Sequence, residues 1–168
     1  MGCDIHLYVE YKNKKETNYR NFGGRINPGR NYYIFGLLAK GVRSDLPEGI
    51  ELKGLPDRET MSYMSRGENE MFIHEDGGEG FVTPETAERW VKSGSSKYIG
   101  KDKNRITHPE WHSHSWLTTE EYEKQLNVFL NHPDAKLYAE PEYEAVLAIL
   151  KSFESGGYDA RIVFWFDN

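Results

Sequence analysis

Between residues 3 and 11 apolar and polar side chains alternate strictly. Cys3, Ile5, Leu7, Val9 and Tyr11 fall on one side of an extended chain, and Asp4, His6, Tyr8 and Glu10 on the other. A period of two predicts a strand with one buried face. Residues 12–16 are polar and turn-like, and residues 18–22 read as a short return strand that completes a hairpin. The period then changes. After the Gly/Pro segment GGRINPGR, Tyr33, Phe35, Leu37, Leu38 and Val42 are spaced for a short helix, with Asn31 as its N-cap and Gly41 as its stop. Asp57 is placed to cap a short helix reaching Met64, and residues 66–82 read as a Gly- and Glu-rich loop. Thr83-Pro84-Glu85 combines a cap, a proline at the first helical position and an acid in the first turn, so a helix runs from there through Trp90 to about Gly94. The stretch that follows reads as irregular as far as Leu117. Thr118 and Glu121 then form a capping box for a helix striped by Leu126, Phe129 and Leu130 that stops before Pro133. Pro141 opens a last helix, with Tyr143, Val146, Leu147, Leu150 and Phe153 on one face and Gly156-Gly157 at its end. ARIVFWF closes the chain as a dense strand.

This pattern predicts an α+β fold. The two terminal strands pair near the middle of a small, mostly antiparallel sheet, about four helices cover it, and the connecting loops are long and irregular. The chain has 168 residues and no repeat, low-complexity tract or Ser/Pro-rich linker, so it reads as one domain over residues 1–168. Its 11 Tyr, 8 Phe and 4 Trp supply a core rich in large apolar rings. The formal charge of −6 argues against binding duplex nucleic acid, which needs phosphate-neutralising Lys and Arg. The single cysteine, Cys3, allows no internal disulfide and points to a reducing, cytoplasmic compartment. No apolar run approaches the ~20 residues needed to cross a bilayer, and the first residues do not form a signal segment. Gly2 is no myristoylation site, because His6 stands where that motif needs Ser or Thr.

Three groups of residues carry candidate chemistry. Asp4 and His6, two apart on a strand, share a face, where a carboxylate and an imidazole ligate a divalent metal or act as an acid–base pair. The bland alternative is a solvated strand face. His112 and His114, in Trp111-His112-Ser113-His114-Ser115-Trp116, likewise share a face if that segment is extended. With Asp4 and His6 they would make a mixed nitrogen and oxygen site for zinc or manganese. Against this stands a chance pair of histidines ahead of a helix that Ser115 or Thr118 caps. Arg30 and Asn31, with Arg43, offer a fork of donors for a phosphate. The alternative is solvated surface arginines, and GGRINPGR lacks the spacing and the Lys-Ser/Thr ending of a phosphate loop. Cys3 reads as a core residue, His74 in IHEDGGEG as part of a surface loop, and Asp167 and Asn168 as a possible rim where the last strand ends.

The segments MGCDIHLYVEY, GRNYYIFGLLAKGVR, GLPD at 54–57, TPETAERWV, WHSHSWLT and RIVFWFDN together resemble a family of small bacteriophage proteins that begin with a Cys-Asp-Ile-His strand. The likeness spans most of the chain. It implies a viral setting and the host cytoplasm, and it brings no activity or catalytic residue with it. It also implies that His112 is a stronger candidate than His114, whose place similar proteins fill with a smaller residue or proline. A looser likeness joins the Asp-x-His and His-x-His elements to metallophosphoesterases, whose Gly-Asp and Gly-Asn-His elements are absent here. The leading expectation is a phage-type accessory protein that binds a small anionic ligand, a nucleotide, and so counters host defence signalling. Asp4 and His6 would floor the pocket, Arg30, Asn31 and Arg43 would meet the anion, and His112 and Ser113 would close it. One alternative is a metal-dependent phosphoesterase with Asp4, His6 and His112 as catalytic residues and His114 as a further ligand. The other is a protein that inhibits a host enzyme by docking through its acidic, aromatic surface. Oligomeric state stays open.

Overall fold

The computed structural model describes residues 2–133 and 140–168. In chain order the elements are β1 (Ile5–Asn13), β2 (Arg20–Asn21), α1 (Tyr32–Leu38), α2 (Tyr63–Asn69), β3 (Glu70–Ile73), β4 (Phe81–Val82), α3 (Pro84–Ser93), β5 (Tyr98–Ile99), β6 (Arg105–Thr107), β7 (His112–Thr118), α4 (Thr119–Leu130), α5 (Pro141–Ser155) and β8 (Tyr158–Phe166). The fold is α+β, with two four-stranded sheets among the described residues. Two compact units divide the chain: one from residues 1–62 and 112–168, the other Tyr63–Trp111. No helix among the described residues is long and apolar enough to cross a membrane.

In the first unit the strand order is β2-β1-β8-β7, so the two terminal strands do occupy the centre. They run antiparallel from Ile5 opposite Phe166 to Asn13 opposite Tyr158. Ile5, Leu7 and Val9 share a face with Leu117, Ile162, Phe164 and Phe166. There they form one buried cluster with Ile34, Phe35, Leu37 and Leu38 of α1, Tyr122, Leu126 and Phe129 of α4, and Tyr143, Val146 and Leu150 of α5. Leu7 is fully buried in this cluster. Leu7→Ala is expected to cost about 2–5 kcal/mol, from lost burial plus the cavity left behind; urea unfolding of the variant measures it.

The opposite face is buried too, although its residues are polar. His6, Tyr8 and Glu10 are each no more than 2% exposed. The polarity is satisfied internally. Arg161, directly across from Glu10, donates Nε to Glu10 Oε2 at 2.8 Å, and the Ser62 amide donates to Glu10 Oε1 at 2.9 Å. The Arg161 guanidinium also lies 3.7 Å from the Tyr19 ring centroid. Trp165 stacks near His6 and Tyr8 at 5.8 and 5.4 Å. A buried charge is tolerated where it is paired and hydrogen-bonded, which is the case here.

The helix caps follow the sequence. Thr118 and Glu121 make both bonds of the capping box. Thr83 caps α3, and Gly94 closes it at φ 82°, a left-handed conformation that costs glycine little. Elsewhere the structure differs from the expected pattern. The helix expected from Asp57 to Met64 begins later, as α2, and residues 57–61 form a turn on the Asp57 carbonyl. The supposed loop 66–82 contains β3 and β4, and the supposedly irregular stretch before Leu117 contains β5, β6 and β7. In the second unit the order is β4-β3-β6-β5, with β3 and β4 parallel and the other pairs antiparallel. Its own small core is Val82, Ala87 and Ile106, with Met71, Ile73, Trp90 and Val91 packed against them.

Candidate functional site

Because β1 and β8 are antiparallel, the start of one lies beside the end of the other. That places Asp4 next to Asp167, 163 positions away in the chain. The Asp167 amide donates to the Asp4 carbonyl at 3.1 Å, and the Asp4 amide donates back to Asp167 Oδ1 at 3.1 Å. The other oxygen, Asp167 Oδ2, lies 2.7 Å from His6 Nε2. One carboxylate therefore ties the first residues of β1 to the last of β8.

Two arginines converge on this junction. Arg30 grips Asp4 with both prongs, Nε to Oδ1 at 2.5 Å and Nη2 to Oδ2 at 2.8 Å. These bonds hold the Asp4 carboxyl below the usual carboxylate range, against the opposing effect of burial; the charges of Arg30, Arg25 and His6 act in the same direction as the bonds. Gly2 makes room for the arrangement, since a Cβ there would collide with the Arg30 guanidinium. Arg43, with φ 59°, donates Nη2 to the Gly2 carbonyl at 3.2 Å and to Asn168 Oδ1 at 3.0 Å. Its guanidinium carbon lies 5.6 Å from the centroid of Tyr32, a ring that is 40% exposed. The Arg30 side chain is 53% exposed.

The segment His112–Ser115 comes to the same end of the sheet, but on the far side of β8. Two strand spacings, about 10 Å, separate β1 from β7. A bulge also breaks its alternation. His112 opposes Phe166, Ser115 opposes Phe164, and Ser113 takes φ 52° between them. The extra residue sends the two histidines to different neighbours. His112 stacks near Phe166 at 6.2 Å and places Nδ1 2.9 Å from Ser113 Oγ, whereas His114 stacks near Trp165 at 6.1 Å.

These positions correct the expected site in two respects. Among the described residues no group of three or more His, Cys, Asp or Glu side chains is placed to hold a metal ion. Asp4, His6, His112 and His114 accordingly do not gather into one coordination site. Arg30 occupies the Asp4 carboxylate, Asp167 occupies His6 Nε2, β8 stands between the pairs, and the bulge parts the two histidines. Asn31 turns inward rather than toward a ligand: it is buried, and its side chain accepts the Ile34 amide as the cap of α1. Ser113 and His112 bond to each other on β7, on the far side of β8 from Asp4 and its partner Arg30. Sequence reasoning left Tyr32 out of the site and gave Asp167 and Asn168 only as a rim where the last strand ends. For the last two, the antiparallel register of the terminal strands is the signal that finds them.

Burial, and next to it the neighbouring His112, lowers the His114 pKa from the ordinary 6.5 to about 4. The folded protein thus leaves His114 neutral over a range where the unfolded chain protonates it. Stability contributed by the neutral ring is full above about 6.5 and falls as the pH drops toward 4. At about pH 5 this loss is expected to reach about 2 kcal/mol relative to neutral pH. Urea midpoints of the wild type and His114→Phe check it: the acid-dependent loss should be smaller in the variant by that amount.

Comparison of the chain with protein-family models, with curated proteins and with solved structures returned no match.

Proposed function

We propose that the chain binds a phosphate-bearing small ligand, a nucleotide, at the arginine edge where β1 and β8 meet. The observation that supports this most is the convergence of Arg30 and Arg43 beside the half-exposed Tyr32 ring, each guanidinium already oriented by its own hydrogen bonds. Arg30 uses its Nε side on Asp4, which leaves the other edge of its planar fork for a second acceptor. Side chains held in place beforehand lose less freedom when a ligand arrives. Tyr32 supplies a ring on which a base can stack, as aromatic side chains do at nucleotide sites generally. Two arginines gathered at one edge of a chain of formal charge −6 suit a small anion better than an extended polyanion.

Binding is favoured over hydrolysis. His6 is 2% exposed, bonded to Asp167 and stacked near Trp165, so its ring is not presented to a ligand lying on the arginines. No metal cluster is assembled among the described residues to activate water. The likeness to small phage proteins sets the biological role of the proposal: holding intact a nucleotide signal of host defence, in the host cytoplasm. Isothermal titration with cyclic and linear nucleotides tests this reading. Binding should be unchanged by a metal chelator; affinity that vanishes with chelation, or nucleotide turnover, would oppose it.

A further inference from the structure

A second surface, in the unit Tyr63–Trp111, combines aromatic rings and cations on an open sheet face. Phe72 lies opposite Phe81 on one side and opposite Arg105 on the other, so these three residues share a face. Met71, Ile73, Val82 and Ile106 point the other way, into the core under α3. Phe72 and Phe81 are 47% and 44% exposed, with ring centroids 6.1 Å apart. The Arg105 guanidinium lies 5.1 Å over Phe72 while its Nη1 bonds Glu70 at 2.9 Å, and the His74 ring meets Phe81 edge-on at 5.9 Å. Beside them runs the β5–β6 hairpin. Residues 97–105 hold Lys97, Lys101, Lys103 and Arg105 against one acid, Asp102. Tyr98 pairs with Ile106 and so lies on the other side of the sheet from Arg105, at the hairpin edge, where Lys103 Nζ sits 5.6 Å over its ring.

Adjacent exposed phenylalanines on a sheet face call for an occupant. A purely apolar partner would have to desolvate Arg105 over Phe72 and the lysines of the adjoining hairpin, at a cost it does not repay. An unpaired nucleic-acid strand uses both kinds of group, since bases stack on the rings and phosphates meet the cations. A duplex keeps its base faces stacked inside and has no use for the rings. We propose that this face binds single-stranded nucleic acid. Bases would lie on Phe72 and Phe81 and the backbone along the β5–β6 hairpin. Glu75, Asp76 and Glu79, in the loop after β3, repel phosphate there and leave the hairpin as the backbone side.

Fluorescence anisotropy on the full chain tests the proposal, with a labelled oligothymidylate of about fifteen nucleotides and a duplex of equal length as probes. The single strand should bind more tightly than the duplex, and more weakly as salt rises. Phe72→Ala and Phe81→Ala remove exposed rings, so the fold should persist by circular dichroism while affinity drops about 5- to 150-fold. Lys103→Glu should weaken binding and flatten its salt dependence. Arg43→Gly should leave oligonucleotide binding intact even though it disables the nucleotide edge of the other unit, which keeps the two sites distinguishable. No retention of the single strand would overturn the proposal and leave the face to a protein partner. Equal affinity for the duplex would overturn it too. So would loss in Arg43→Gly with none in Phe72→Ala, which would assign the oligonucleotide to the arginine edge.

Discussion

Arg161→Met is expected to lower the unfolding free energy by about 3–5 kcal/mol, among the largest effects a single substitution can have here. The reason is what the substitution leaves behind. Glu10 is fully buried in the middle of β1, and Arg161, 6% exposed, is the cation directly across from it. Removing Arg161 strands a carboxylate that keeps only the Ser62 amide as a donor among the bonds described above. Methionine fills much of the lost volume, so the effect is one of charge more than of cavity. The double variant Glu10→Met with Arg161→Met removes both charges and should recover a large part of the loss, since a buried ion pair is often replaceable by apolar groups. Chemical denaturation of the two variants checks both statements. A double variant as unstable as the single one would mean that the pair contributes through geometry rather than through mutual neutralisation.

The second large effect falls on binding. Arg43→Gly is expected to weaken nucleotide affinity by about 10- to 150-fold, the value of one charge-assisted contact of roughly 1.5–3 kcal/mol. Glycine is the informative replacement because Arg43 sits at φ 59°, where glycine is at ease and other residues are strained. The variant therefore removes the guanidinium without disturbing the backbone. Arg30→Ala is a less clean probe, since it also frees the Asp4 carboxylate. Tyr32→Ala should lower affinity for nucleotides while sparing inorganic phosphate, which has no base to stack. Isothermal titration of each variant gives the ratios.

Much of the fold is legible in the chain. The alternation at Cys3–Tyr11, the capping box at Thr118 and Glu121, the Thr83-Pro84-Glu85 start and the stops at Gly94 and Gly156 each encode a local geometry that the tertiary structure keeps, whereas α1 ends at Leu38 with Ala39 as its cap, ahead of the expected stop at Gly41. What escapes is non-local or brief. Strands of two to four residues, such as β3, β4 and β5, are too short to display a period. β7 hides for another reason: its bulge at Ser113 breaks the alternation that would have announced a strand. The same bulge defeats the inference that His112 and His114 share a face. Tyr8 on the polar face of β1 points to a partly covered face, but nothing local reveals that Arg161 waits across the sheet for Glu10. In the candidate site the sequence singles out Asp4, His6, Arg30 and Arg43, which the structure does bring to one end of the central strand pair. It does not reveal that Arg30 and Asp4 bind each other, or that Asp167 joins them. Asn31 carries two readings, cap and ligand donor, and the structure gives it the cap.

The most direct measurement is nucleotide retention by the purified chain. The protein is incubated with a panel of cyclic and linear nucleotides, with and without a metal chelator, separated from free ligand, denatured by heat and chromatographed. The arginine-edge account predicts an intact nucleotide recovered only after denaturation, equally with chelator present, and lost in Arg43→Gly. A panel that leaves no nucleotide on the protein, or one held as tightly by Arg43→Gly as by the wild type, would contradict it.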